Sequence, residues 1–307
     1  MGKRTSRTRV ILLCLVMALI TTSCSVNILD PFAKKDTDQA LLDEAKSEIN
    51  KGSYTSAIDL FDQMSDDFKE KARVVPYHAS AYAGRCGLNF LDFQEIFENL
   101  GSDTLFTVLM SNFSGGTVAN KESDIADCDQ AIAIVEAAGA TATARDDDLN
   151  LLISFIALVK IGKTLARYAD DAAGDSEDND GTVDTNWDAC TDGDPDADPD
   201  PEGDTQFFPE ADVREYGAAL IKMLNSLSEV SSVTVGSDSL TQITALCTTL
   251  AGISATFADL CTKTDPADFT ADEVRGLRSL VYEGVDLGLG NCAIGPPNGL
   301  SDGCVCP

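Results

Sequence analysis

Apolar positions along this chain recur at intervals of three and four residues, the spacing that gathers them on one face of a helix. Leu41, Leu42, Ala45 and Ile49 share such a face on a first predicted helix, capped by Asp36 or Thr37 and running to Asn50. Lys51-Gly52 ends it, because glycine takes the left-handed C-terminal conformation without penalty. A second helix over residues 54–65 turns Ala57, Leu60, Phe61 and Met64 to one side. Further helices are expected over 74–84 and 88–100, the latter with a core stripe of Phe90, Phe93, Phe97 and Leu100. His78, flanked by Tyr77 and Tyr82, reads as a packing or surface residue. Ser102 caps a short apolar helix over 103–113, residues 114–120 form a loop, and Ser123 opens a helix closed by Gly139. That helix turns Ile125, Cys128, Ile132 and Val135 inward.

Residues 146–168 make the most apolar helix, with Leu149, Leu152, Ile153, Phe155, Ile156, Val159 and Leu165 around most of its circumference, so it should be central and buried. Lys160, Lys163 and Arg167 interrupt it too early for a membrane span. Ile161-Gly162-Lys163-Thr164 echoes the end of a phosphate-binding loop, but Ala157 stands where that motif needs a glycine and no strand precedes it. The pattern then stops. Residues 170–209 are rich in Asp, Pro and Gly and can bury almost nothing, which divides helical regions at 36–169 and 210–288. Helices are expected over 210–230, 237–263 and 271–286, the last with Thr270 and Glu273 at capping-box spacing. Residues 289–307 form a Cys-rich tail without periodicity.

The first residues change how all of this is read. Lys3, Arg4, Arg7 and Arg9 precede an apolar run over 10–20, then Thr21, Thr22, Ser23 and Cys24. This is the order of a secretory signal peptide, too short to span a bilayer. A cysteine after small residues resembles a bacterial lipobox, although Thr21 stands where Leu is usual. The resemblance implies a signal peptide over 1–23, acylation of Cys24 and a tether over 24–35; several acyl chains suffice for stable anchoring. Ser25 after that cysteine resembles the outer-membrane sorting signal of enteric bacteria. Without the four basic residues of the leader, the formal net charge moves from −29 to −33. Such a surface repels phosphate backbones, which argues against nucleic acid as a partner. One Trp and one His weaken sugar-binding and His-based catalytic readings, and no Gly-x-Ser-x-Gly or His-Glu-x-x-His motif occurs.

Two constellations could carry chemistry. Asp178, Asp180, Gly181 and Val183 sit at the spacing of an EF-hand or thrombospondin-type calcium loop, which these residues resemble; Asp184 and Asp188 could complete it. Trp187 occupies the place of the closing Glu, so the alternative is a solvated acidic loop. Eight cysteines remain beyond the leader and Cys24: Cys86, Cys128, Cys190, Cys247, Cys261, Cys292, Cys304 and Cys306. All are disulfide candidates in an oxidising compartment. Cys247 and Cys261 fall in one predicted helix, roughly 21 Å apart along its axis. They cannot pair with each other if that helix is continuous, and the tail cysteines Cys292, Cys304 and Cys306 are natural partners for them.

The fold expected is all-α, as stacked antiparallel helix pairs with an Asp-rich loop insertion. Leu41, Ala45, Gly52, Tyr54, Ala57 and Phe61 follow the order of a tetratricopeptide hairpin, which this stretch resembles. That resemblance implies a solenoid or helical array with a groove that takes segments of other proteins. Leader and hairpin together resemble the tetratricopeptide lipoproteins of bacterial envelope machines, including outer-membrane β-barrel assembly. The expectation is a lipid-anchored outer-membrane scaffold with no enzymatic activity, binding envelope proteins or peptides through a groove and the bilayer through acyl chains. A transporter-associated small-ligand carrier, with a cavity lined by Phe90, Phe93, Phe97 and Phe106, and a surface calcium-binding protein are the alternatives.

Overall fold

The computed structural model describes residues 36–89, 105–115, 118–170, 181–182, 208–230, 248 and 258–283. Among them are nine α-helices, three short 3-10 turns and no strand. The all-α expectation holds for these residues.

Helix α1 (Asp38–Asn50) starts at Thr37, whose Oγ1 accepts a hydrogen bond from the Ala40 amide. It ends at Lys51 and Gly52, the latter at φ +74°. Helix α2 (Tyr54–Asp62) folds back on α1, and a short α3 (Asp66–Lys69) follows. The Asp38 carboxylate accepts from the Ser65 amide at 3.2 Å and from its hydroxyl at 2.5 Å, tying the start of α1 to the end of the hairpin. Helix α4 (Val75–Cys86) has Pro76 in its first turn and stops at Gly87, where Leu88 N–H donates to the Ala83 carbonyl. Leu41, Leu42, Ala45, Ala57, Ile58, Phe61, Met64, Phe68, Val74 and Ala81 form a small core of their own; Ile49 and Leu60 pack at its edge.

A second, larger core begins on the other side of α4. Helix α5 (Leu105–Phe113) and helix α6 (Val118–Ala138) pack against α7 (Asp147–Ala169), and α6 also packs against α4. Sequence pattern placed a loop over 114–120 and opened the next helix at Ser123. The helix instead opens at Val118. Its first turns are wound in place by Lys121, which is fully buried and donates to the Ala166 carbonyl at the far end of α7.

Helix α7 is the centre, capped by Asp146, which accepts from the Leu149 amide at 2.9 Å. By length and composition α7 could cross a bilayer, but 83% of its apolar window is buried inside this fold. The phosphate-loop echo lies mid-helix. Gly162 is there because a Cβ would come within 2.8 Å of the Leu109 carbonyl oxygen, so α5 and α7 touch backbone to backbone. Helix α8 (Glu210–Glu229) packs on α7, and α9 (Ala271–Glu283) packs on α8. One core therefore runs across the Asp-rich segment: Ile156 and Leu165 before it and Tyr216, Leu220 and Leu277 after it belong together.

The predicted helix over 237–263 does not reach its expected end. Residues 260–262 form a 3-10 turn, held by Thr262, whose amide and hydroxyl both donate to the Asp259 carbonyl. The continuous helix on which the Cys247–Cys261 exclusion depended is therefore absent at Cys261. At α9 the capping box is present: Glu273 N–H donates to Thr270 Oγ1 and Thr270 N–H to Glu273 Oε2.

Candidate interaction cleft

Two helices separated by about thirty residues of sequence put their polar-aromatic faces side by side. From α1 come Lys46, Ile49 and Asn50, one turn apart; from α4 come Tyr77, Ser80 and Gly84, spaced i, i+3, i+7. Tyr54, Leu88 and Asn89 join them. Together they line a cleft of about 510 Å³. Tyr77, 40% exposed, is the one large hydrophobic residue left exposed among the described residues. The Lys46 ammonium stands over its ring, 4.2 Å from the centroid. Two of the lining residues approach closely: a Cβ on Gly84 would lie 2.1 Å from the Tyr54 ring, so only glycine lets α2 and α4 meet there.

Just behind the cleft, the His78 ring stacks on Phe61 at 4.8 Å and lies 5.7 Å from Tyr82. Burial, and then the charge of Lys69, draw its pKa down to about 4, while Asp62 opposes weakly. The imidazole is a packing group against these two rings and is neutral at pH 7. The cleft itself holds an amine, amides, hydroxyls and apolar carbons.

Cys86 and Cys128 are joined by a disulfide, with Cα atoms 5.2 Å apart, linking α4 to α6. The preceding residues reinforce the link: Arg85 donates from Nε and one terminal nitrogen to the two Asp127 carboxylate oxygens, each at 2.6 Å. Cys261 is also disulfide-bonded. Cys24, Cys190, Cys247, Cys292, Cys304 and Cys306 lie outside them, as do Asp178, Asp180, Asp184 and Asp188. Of the acidic loop, Gly181 is described: it has φ +84°, and its amide donates to the buried Asp170 carboxylate at 3.0 Å. Phe106 is fully buried, edge-on to Tyr216 at 5.7 Å; Phe90, Phe93 and Phe97 lie outside the described residues.

Sequence reasoning did not find Lys46, Asn50, Tyr54, Ser80 and Gly84 as neighbours around one cleft. The available signal was Tyr77, an aromatic residue placed off the buried face of α4. Comparison with protein-family models, curated proteins and solved structures finds no match for this chain.

Proposed function

We propose that this protein is a lipid-anchored scaffold of a bacterial outer membrane, which holds segments of other envelope proteins in the cleft between α1 and α4. The observation that carries the reading is the cleft itself, concave and mostly apolar, with Tyr77 exposed at its mouth and Lys46 over the ring. Association surfaces are enriched in such tyrosines, which offer contact area at low entropic cost. We read α1, α2 and α4 as the start of a tetratricopeptide-like array. Support comes from their packing, α1 on α2 and both on α4, and from the glycine-tyrosine contact that sets their spacing. The anchor rests on the leader and Cys24, and is tested by mass spectrometry of the mature N-terminus: an unmodified thiol there removes it.

The cleft is tested with a photo-crosslinking amino acid at position 77 in the full chain, expressed in its own envelope. Crosslinks to envelope proteins are expected, and they should weaken when Lys46→Glu is added. Irradiation that yields no protein adducts rejects the scaffold. A second reading, a carrier of a small ligand, is favoured by the cleft volume, which falls within the range that encloses one small molecule. Native mass spectrometry of protein purified from its envelope would reveal a bound small molecule in that case. Calcium binding by the acidic loop is a third proposal; calorimetry giving no heat at millimolar calcium would dismiss it.

A further inference from the structure

Helix α4 belongs to two cores at once. Ala81 packs into the hairpin core with α1 and α2, while Ala79, Ala83 and Cys86 enter the main core. The two are unequal: among the described residues the hairpin core gathers ten buried apolar residues and the main core forty. A unit the size of residues 36–89 is marginal alone and needs a staple or a larger body to lean on. What α4 lends to the main core is chiefly alanines, which bring it close along α6 while each buries little apolar area. The strong links are covalent and ionic and lie at one end of the helix, Cys86 to Cys128 and Arg85 to Asp127.

We infer that oxidation of Cys86 and Cys128 fixes the cleft-bearing unit to the main body, so that the cleft takes its lasting shape only after the chain reaches an oxidising compartment. This rests on the reading of the cleft as the binding surface. In the step, the Sγ–Sγ bond forms as both thiols lose their protons. The two electrons pass to the disulfide of a thiol oxidoreductase, which leaves as a dithiol through a mixed-disulfide intermediate. Both cysteines are fully buried in the finished fold, so the exchange belongs to a stage when α4 and α6 are still apart. Once docked, the bond is shielded from soluble thiols. The same chain is thereby kept from stable engagement of partners before export.

Hydrogen exchange on the full chain decides it, comparing the wild type with the Cys86→Ala/Cys128→Ala variant, in which the Cys261 disulfide remains. Amides of α1, α2 and α4 should exchange roughly thirtyfold faster or more in the variant, with α7 and α8 unchanged. Equal protection in both proteins overturns the inference, and so does a uniform loss that includes α7 and α8. The crosslinking at position 77 in the wild type is independent of this result. Crosslinks with unchanged exchange would sink the staple and leave the cleft; faster exchange without crosslinks would do the reverse.

Discussion

His78, the chain's single histidine, is held neutral between Phe61 and Tyr82 with its pKa drawn down to about 4. In the unfolded chain it titrates near 6.5, so between these values the unfolded state binds a proton that the folded state refuses. The stability it contributes is complete above about pH 6.5 and is lost as pH falls toward 4. Allowing for its partial exposure, that loss is about 2 kcal/mol between pH 7 and pH 4.5. Urea unfolding at the two pH values should show it in the wild type, and a His78→Phe variant should lose that much less. A difference between wild type and variant that does not change with pH would refute the assignment. Gly84 makes a second test at this scale. Gly84→Ala should cost about 1–3 kcal/mol, because the new methyl meets the Tyr54 ring. Adding Tyr54→Ala should recover part of that loss, a coupling that a double-mutant cycle reads directly.

At the scale of the element, α6, α7 and α8 are laced by ion pairs. Lys163 meets Asp124 at 2.9 Å, Lys222 meets Glu136 at 2.7 Å, and Arg167 meets Glu122 at 2.5 Å. Lys160, with its side chain 3% exposed, reaches Asp129 at 2.5 Å and Glu215 at 2.7 Å, joining three helices through one ammonium. Both carboxylates are half exposed and can rehydrate, so the buried lysine stem matters more than the charge alone. Lys160→Met, which keeps the stem, should cost about 1–2 kcal/mol, and Lys160→Ala about 3 kcal/mol. Equal costs in urea titrations would refute the role given to the stem. At the start of α9, Thr270→Ala removes one half of the capping box and should cost about 1 kcal/mol, read as faster exchange of the first α9 amides. These lysines also explain a limit of the sequence reading. Lys160 and Lys163 look like the polar end of an apolar run, yet both are buried, because their carboxylate partners come from other helices.

For the whole molecule, the decisive fact is a small core attached to a large one through α4. The Cys86–Cys128 bond closes a sequence separation of 42 and should contribute about 2–4 kcal/mol to holding the small core on the large one, so in the double alanine variant the small core should unfold at lower urea while the transition of the main core stays where it is. The same scale explains which parts of the fold could be read in advance. The cap at Thr37, the stop at Gly52 and the box at Thr270 and Glu273 each involve neighbours within a few residues, and all were legible. The start of α6 was not, because Lys121 is drawn into α7 from 45 residues away. Nor was the 3-10 turn at Leu260, where Asn225 of α8 donates to the Cys261 carbonyl. The cleft could not be read either, since no local pattern says that Lys46 will stand over Tyr77.

Local pattern was enough for the helical class of the described residues, the buried faces of α1 and α2, the caps at Thr37 and Thr270 and the centrality of α7. All of these follow from the 3.6-residue period and from side chains within one turn of each other. The tertiary structure alone decided which buried lysine met which carboxylate, which two cysteines paired and where a cleft was left open. Those outcomes depend on how rigid helices settle against one another, and that is fixed by distances between residues far apart in the chain.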